Sequence, residues 1–308
     1  MKRVPYYPGC ALLTVDVAYD ESSKRVAQRL GTELVDIEDY NCCGIGELKS
    51  QGDAGLMLPA RNLMLAKQQF QAQELVMSCS VCYHELSRAN AYIRKNARQK
   101  ARVNELLQKG GEPPYEGDVE ARHFLEYLYN EHGVEAIRAK VTRPLNGLKV
   151  APYYGCLYTR PSQFTGSGRE SRLDHPERPR FMHEILEACG AETVAYGNET
   201  SCCGGRNLIQ DEETSFRLIY DTLSKAKAAG ADVVALICPK CAGGLDIMQE
   251  QVIKAAEKRE PGSGERARIP VVYVTQLIGL ALGETAKDVR LRDMETNAAA
   301  VLAAKLWK

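Results

Sequence analysis

Ten of the eleven cysteines in this chain follow a five-cysteine pattern that occurs twice. Each copy begins with a single cysteine after a tyrosine-rich segment, continues with an adjacent pair in Cys-Cys-Gly, and ends with Cys-x-x-Cys. Self-similarity on this scale indicates one structural unit used twice. The chain is therefore predicted to contain two similar domains, each with an equivalent metal site. The first set is Cys10, Cys42, Cys43, Cys79 and Cys82, and the second is Cys156, Cys202, Cys203, Cys238 and Cys241.

The two copies differ in one interval and in one extra cysteine. Cys10 and Cys42 are 32 positions apart, whereas Cys156 and Cys202 are 46 apart, so the second copy carries 14 additional residues. We place this insertion within residues 161–177 and expect a surface loop near the second site. Cys189 lies outside the repeat and is expected to be a small buried apolar residue.

The composition argues against a disulfide scaffold, a membrane span and a nucleic-acid partner. The chain starts MKRVPYYPGC, which lacks the apolar run of a secretory signal, so we expect a cytoplasmic protein in which thiols stay reduced. No stretch approaches the roughly 20 apolar residues of a transmembrane helix. Forty basic and forty acidic side chains leave no net charge to attract nucleic acid.

Strand-like and helix-like segments alternate in both halves, which predicts an α/β fold with small parallel sheets flanked by helices. Residues 119–141 are predicted to be helical with little strand character. Pro144, Asn146 and Gly147 indicate a turn before the second copy. We therefore predict domains at residues 1–146 and 147–308, the second with a helical C-terminal tail from Glu284 that either packs on its own domain or docks a partner.

Five thiols that include an adjacent pair favour a polynuclear iron–sulfur cluster over a single zinc ion. One tetrahedral zinc takes four ligands, and adjacent cysteines direct their sulfurs apart. Cys79 and Cys82, like Cys238 and Cys241, are predicted at a helix start, where unpaired N–H groups stabilise thiolates. The glycines that follow each cysteine pair are interpreted as places where the backbone approaches the cofactor; they are Gly44, Gly204 and Gly205.

These motifs resemble those of the double CCG-domain (cysteine-rich domain) family, and in particular the B subunit of heterodisulfide reductase (HdrB). The resemblance covers the chain to about Gly283. It is carried by YYPGC at 6–10, NCCG at 41–44, CSVCY at 79–83, YYGCLYTRP at 153–161, DHPERP at 174–179, CCGG at 202–205 and CPKC at 238–241.

The resemblance implies an oxidoreductase subunit that makes or breaks a sulfur–sulfur bond. Each cysteine set would hold one noncubane [4Fe-4S] cluster, and the two clusters would face each other at the interface between the domains. Electrons would pass through an HdrC-like subunit with cubane iron–sulfur clusters and an HdrA-like flavin subunit. In the methanogen enzymes the substrate is the heterodisulfide of coenzymes M and B.

Two departures from the methanogen pattern bear on the substrate. Leu157 follows Cys156 where a histidine is typical, and Ala242-Gly243-Gly244-Leu245 follows the last cysteine where a histidine and longer side chains are typical. The resemblance then favours the heterodisulfide-reductase-like complexes of cytoplasmic sulfur oxidation, which handle sulfur on a lipoate-binding carrier protein.

Other functions remain open at the level of sequence. They are an electron-transfer CCG subunit of a succinate, glycolate or lactate oxidation system, a methanogen-type heterodisulfide reductase, and a zinc-stabilised scaffold. Tyr83 and His84 directly follow Cys82 and are candidate proton donors to a departing thiolate. Burial as ordinary structural side chains is the alternative for both.

Overall fold

Two four-stranded parallel sheets form the core of the computed structural model, which describes residues 1–46, 48–164 and 173–306. The first sheet has the order β2-β1-β3-β4 and the second the order β6-β5-β7-β8. The α/β architecture and the parallel sheets predicted from the sequence are confirmed. The strands are β1 (Lys2–Tyr6), β2 (Thr32–Asp36), β3 (Glu74–Met77), β4 (Glu120–His123), β5 (Lys149–Tyr153), β6 (Glu192–Thr193), β7 (Val233–Leu236) and β8 (Val271–Tyr273).

Helices connect and flank the strands in both halves. The helices of the first half are α1 (Val17–Arg29), α2 (Ala54–Phe70), α3 (Ser80–Lys95), α4 (Ala97–Lys109), α5 (Phe124–Tyr127) and α6 (Val134–Ala139), with a 3₁₀ turn at Leu48–Ser50 and a π-helical turn at Leu128–His132. Those of the second half are α7 (Phe181–Ala188), α8 (Glu212–Ala228), α9 (Pro239–Ala242), α10 (Gln249–Arg259), α11 (Val274–Ala281) and α12 (Ala298–Leu306), with a π-helical turn at Gly243–Ile247 and 3₁₀ turns at Gly264–Ala267 and Leu291–Asp293.

The strand register aligns the carboxyl ends of the strands at one edge of each sheet. In the first sheet Tyr6 pairs with both Asp36 and Val76, each at or near the end of its strand. In the second sheet Leu236 pairs with Tyr273 in the same way. Because parallel strands all end at this edge, the loops that follow them lie together, and this is where open α/β sheets bind their ligands.

Strand β4 corrects the prediction that residues 119–141 are helical with little strand character. Its segment reads polar, but Arg122 is fully buried. Its guanidinium forms ion pairs with Glu74 at 3.0 Å, Glu126 at 3.1 Å and Glu131 at 2.6 Å. The long-range partner Glu74 on β3 makes a buried arginine acceptable in a strand, and local sequence does not show that pairing.

The two halves pack through reciprocal helix contacts. Helix α1 of the first half packs on α11, which follows the last strand of the second sheet, and α6 of the first half packs on α7. The Ser22 and Thr275 hydroxyl oxygens lie 2.6 Å apart in the buried α1–α11 contact. The contact between the two halves is therefore made in part by the helix pairs α1–α11 and α6–α7.

The tail packs back on its own half. Val289, Leu291, Ala298 and Leu302 are fully buried, and Thr296 accepts a 2.8 Å hydrogen bond from the Val271 backbone N–H. Of the two predicted uses of the tail, packing on its own domain is thus the one observed. Its helix α12 begins only at Ala298. Cys189 is also fully buried, as predicted. Residues 165–172, where most of the predicted insertion falls, lie outside the described part of the chain.

Candidate functional site

The ten repeated cysteines all lie at the carboxyl ends of strands. In the first half, Cys10 follows β1, Cys42 and Cys43 follow β2, and Cys79 lies between β3 and α3. Cys79 is the cap of α3, and its sulfur accepts a 3.5 Å hydrogen bond from the Cys82 backbone N–H. The second set occupies the corresponding positions after β5, β6 and β7, with Cys241 in the first turn of α9. The predicted helix starts at both Cys-x-x-Cys motifs are confirmed.

Thiol contacts connect the cysteines within each set. The Cys10 and Cys42 sulfurs lie 3.9 Å apart. The pKa of Cys43 is shifted by Cys42 and Cys82, and that of Cys82 by Cys43 and Cys79. In the second set the pKa of Cys156 is shifted by Cys202, and that of Cys241 by Cys203 and Cys238.

The two sets also approach each other across the domain interface. Cys79 and Cys238 each act on the pKa of the other, and the Ser80 hydroxyl, directly after Cys79, donates to the Ile237 carbonyl, directly before Cys238, at 3.4 Å. Both cysteines are buried, whereas Cys10, Cys42 and Cys202 are exposed. The sulfurs thus extend from the surface to a buried junction between the domains.

In each set, the first cysteine of the adjacent pair has a lowered pKa, which favours the thiolate. Hydrogen bonds from Cys10 and then Cys43 lower the pKa of Cys42 to about 2, with help from the Gly44 N–H. A hydrogen bond from Cys156 lowers the pKa of Cys202 to about 6, although burial opposes it, and the Gly204 N–H contributes. Thiolate is the form that binds metal, so these pKa values suit the predicted ligand role.

In each set, one glycine lies against the sulfur of the last cysteine. Gly9 has φ +69° and an added Cβ would lie 3.1 Å from the Cys82 sulfur. Gly155 has φ +70° and its Cβ would lie 3.2 Å from the Cys241 sulfur. Sequence reasoning did not single out either residue, although both directly precede the lone cysteine that follows a tyrosine pair in each copy.

The glycines that were singled out also have packing reasons of their own. A Cβ at Gly204 would lie 2.9 Å from the Ser215 Cα, and one at Gly205 would lie 2.6 Å from the Lys240 carbonyl oxygen and 3.3 Å from the Cys203 sulfur. Gly44 has φ +76°. Their predicted approach to a cofactor stays a prediction.

The donor set fits a polynuclear group with thiolate ligands. The described residues contain no group of three or more His, Cys, Asp or Glu side chains arranged for a metal ion. Each set instead offers five soft sulfurs at one sheet edge. Backbone N–H groups are directed at two sulfurs of the second set and one of the first: Gly204 N to Cys202 at 3.4 Å, Gly205 N to Cys203 at 3.4 Å and Cys82 N to Cys79 at 3.5 Å. Sulfur ligands with N–H donors are typical of iron–sulfur sites.

The two candidate proton donors have different surroundings. The Tyr83 ring lies 5.9 Å from the His123 ring and 6.2 Å from the Tyr158 ring, beside a cavity of about 550 Å³. His84 is buried, and its Nδ1 lies 2.9 Å from a carboxylate oxygen of Glu85. Their role as donors stays a prediction, with Tyr83 the better placed toward open space.

A single backbone carbonyl receives three side-chain donors from the other half. The Ile237 oxygen, directly before Cys238, lies 3.2 Å from the Tyr19 hydroxyl, 3.4 Å from the Ser80 hydroxyl and 3.2 Å from His123 Nε2. Because the Leu125 N–H donates to His123 Nδ1, Nε2 carries the ring proton and donates. Sequence reasoning missed these residues, since only the fold brings them to Cys238.

Comparison with known families agrees with the repeat. The family model described as a cysteine-rich domain (CCG) matches residues 4–87 and 150–246. These two matches contain all ten repeated cysteines and cover more than half of the chain.

Curated proteins with similar sequences extend over nearly the whole chain. The 8-methylmenaquinol:fumarate reductase membrane anchor subunit of Wolinella succinogenes is 33% identical over 94% of this chain and 95% of its own length. The B subunit of the ferredoxin:CoB-CoM heterodisulfide reductase of Methanosarcina mazei is 32% identical over 92% of this chain and 90% of its own. A protein of Archaeoglobus profundus that is named as similar to the heterodisulfide reductase B subunit is 29% identical over 92% and 91%.

One solved structure supports the fold alone. A hypothetical protein from Helicobacter pylori superposes with a TM-score of 0.73 at 16% identity, covering 96% of this chain and 52% of that one. In the described ranges, no helix of this chain combines the length and apolar character needed to cross a membrane.

Proposed function

The chain belongs to the cysteine-rich (CCG) domain family, and on that basis we propose that it is the iron–sulfur catalytic subunit of a heterodisulfide-reductase-like complex. It makes or breaks a sulfur–sulfur bond between two metal clusters, one in each half. Curated relatives named as heterodisulfide reductase B subunits support this class of oxidoreductase.

The observation that carries the proposal is the approach of Cys79 to Cys238, each of which acts on the pKa of the other, with the adjoining residues Ser80 and Ile237 joined by a 3.4 Å hydrogen bond. It places the two cysteine sets side by side at a buried junction. Two sites that adjoin in this way can each take one sulfur of a single bond, whereas two separate electron-transfer centres need no shared junction.

Each set would hold one noncubane [4Fe-4S] cluster, and the clusters would supply electrons and iron positions for sulfur. Cys42, Cys202 and Cys238 are the thiols whose pKa is lowered, which favours their thiolate forms. Gly9 and Gly155 keep the space beside Cys82 and Cys241 free of side chains. Tyr83 is retained as a candidate proton donor and His84 as a weaker one.

The proposed substrate is a disulfide or a sulfur-loaded thiol carried by a lipoate-binding protein, in cytoplasmic sulfur oxidation. An added Cβ at Gly243 would meet no atom within 4 Å, so there is open space two residues after the second Cys-x-x-Cys. A carrier arm needs such space. The HdrC-like cubane subunit and the HdrA-like flavin subunit are the proposed electron partners.

The test is iron and acid-labile sulfide content combined with EPR of the anaerobically purified, oxidised protein. We expect about eight irons per chain for two [4Fe-4S] clusters, and a paramagnetic signal that appears only when a thiol or disulfide is added. Bound zinc, or cubane signals that do not respond to thiols, would overturn the proposal.

A second candidate is an electron-transfer subunit of a respiratory reductase. The similarity to the Wolinella succinogenes fumarate reductase subunit, at 33% identity over 94% of the chain, favours it. The same spectra distinguish the two functions, because an electron carrier would be reduced and reoxidised without any response of its EPR signal to thiols.

A further inference from the structure

Asp16 is a buried carboxylate that does not have the local role expected at its position. It precedes α1, where an aspartate usually accepts a hydrogen bond from a backbone N–H of the first turn. No such side-chain bond is present. The carboxylate instead accepts a hydrogen bond from the Tyr273 hydroxyl of the other half. Asp16 is 7% exposed, so the carboxylate is committed to the domain interface.

Two tyrosines place this carboxylate next to the second cysteine set. The rings of Tyr19 and Tyr273 stack with their centroids 4.2 Å apart and their planes 5° from parallel. The Tyr19 hydroxyl donates to the Ile237 carbonyl directly before Cys238. The charge of Cys238 acts on Asp16 and on both tyrosines, so all three lie within electrostatic reach of that sulfur.

The surroundings of Asp16 raise the pKa of its carboxylate toward neutral pH. Burial raises the pKa of Asp16 to about 6, the Tyr273 hydrogen bond opposes the rise, and the charges of Cys238 and Asp246 add to it. Asp246 is itself held by the Thr296 hydroxyl and two backbone N–H groups. A group that titrates near the working pH is suited to proton transfer.

The carboxylate also has a connection to solvent. Within the described residues, its second oxygen, Oδ2, makes no hydrogen bond. Oδ2 is also not fully enclosed by the protein. Val15, the preceding residue, is 74% exposed. Oδ2 can therefore exchange a proton with water while Oδ1 faces the interface.

We propose that Asp16 relays protons between solvent and the sulfur chemistry at the second cysteine set, with Tyr273 positioning its carboxylate. This inference rests on the proposed function. Reductive cleavage of R–S–S–R′ consumes two electrons and two protons and yields R–SH and R′–SH. A one-electron donor of the iron–sulfur class supplies the electrons in two steps. Asp16 gives one proton to the thiolate that leaves on the Cys238 side and is reprotonated by water, and the second proton comes from solvent.

The experiment measures disulfide reduction by the purified complex, with reduced methyl viologen as electron donor and oxidised lipoamide as probe. In the unaltered protein we expect kcat to be constant below about pH 6 and to fall about tenfold per pH unit above it, because the protonated carboxyl is the donor. Asp16→Asn should lower kcat at pH 6 by about 10²-fold and remove the pH dependence. Asp16→Glu should restore part of both.

Two further variants separate a relay from a structural role. Tyr273→Phe removes a hydrogen bond that favours the charged carboxylate, so the falling limb should move to higher pH. Asp20→Asn is the matched control, since Asp20 is a buried acid in the first turn of α1, the helix that begins directly after Asp16, and is paired with Lys24. It should leave the pH profile unchanged.

A second readout does not depend on turnover. The midpoint potential of the thiol-responsive cluster should fall with pH above about 6 in the unaltered protein and be pH-independent in Asp16→Asn. An unchanged pH profile in Asp16→Asn, or an equal change in Asp20→Asn, would overturn the relay. If the unaltered protein lacks iron or any EPR response to thiols, the proposed function fails, and the relay fails with it. If the EPR response is normal but Asp16→Asn has the same pH profile as the unaltered protein, only the relay is rejected.

Discussion

At the scale of single residues, two glycines of the candidate site lie where an added side chain would crowd a cysteine sulfur. Gly9 and Gly155 adopt the left-handed region, which costs other residues about 1–2 kcal/mol, and each faces the sulfur of the last cysteine in its set. The backbone at these two points therefore forms part of the wall around the thiols, in addition to its role in the turn.

Gly9→Ala is predicted to deplete the first site of iron. Its Cβ would lie 3.1 Å from the sulfur of Cys82, a proposed ligand, and displace it. If the chain holds the two proposed clusters, about half of the iron should be lost. Iron and sulfide analysis of the anaerobically purified variant measures the effect. Gly31→Ala is the control, because Gly31 has φ +90° but no atom within 4 Å of an added Cβ. Equal iron loss in both variants would refute a specific role for Gly9.

At the scale of elements, β4 is the strand that connects the first half to the second site. It ends at His123, whose Nε2 donates to the Ile237 carbonyl before Cys238. The ring is fully buried, and burial lowers the pKa of His123 to about 4 from its ordinary 6.5. The folded protein thus holds this histidine neutral at pH values where the unfolded chain would protonate it.

This difference predicts a pH-dependent contribution to stability. Between pH 6.5 and 4 the unfolded state binds the His123 proton and the folded state does not, so stability falls as the pH falls through this window. Lowering the pH from 7 to 5 should cost about 2 kcal/mol from this residue. Denaturant unfolding at both pH values measures the effect in the unaltered protein and in His123→Gln. The variant should lose about 2 kcal/mol less on acidification, and an equal loss in both would contradict the assignment.

At the scale of the whole molecule, the packing of the two halves brings the buried ends of the two cysteine sets close together. Cys79 and Cys238 act on each other's pKa across the interface, the adjoining Ser80 hydroxyl donates to the Ile237 carbonyl, and Cys10 lies at the exposed end of the first set. The reciprocal packing of α1 on α11 and of α6 on α7 fixes this junction. A substitution at Cys79 should therefore affect both sites, whereas a substitution at Cys10 should affect only the first.

Cys79→Ser is predicted to disturb both sites and Cys10→Ser only the first. Loss of the Cys79 sulfur would remove a proposed ligand of the first set and also a group that lowers the pKa of Cys238 in the second. EPR of the thiol-treated proteins should show altered signals from both clusters in Cys79→Ser and an unaltered second-site signal in Cys10→Ser. Identical spectra from the two variants would show that the junction does not couple the sites.

The sequence by itself determined the duplicated α/β fold, the helix starts at both Cys-x-x-Cys motifs and the buried state of Cys189. These features follow from local pattern: a repeat, alternating apolar segments and cysteines next to helix starts. It missed β4, because Arg122 is acceptable there only through its pairing with Glu74 on a distant strand. Only the tertiary structure decided that Cys79 lies near enough to Cys238 for each to act on the pKa of the other, and that Asp16 accepts a hydrogen bond from Tyr273. Residues 159 and 257 positions apart become partners through domain packing, and a single chain carries no local signal for such contacts.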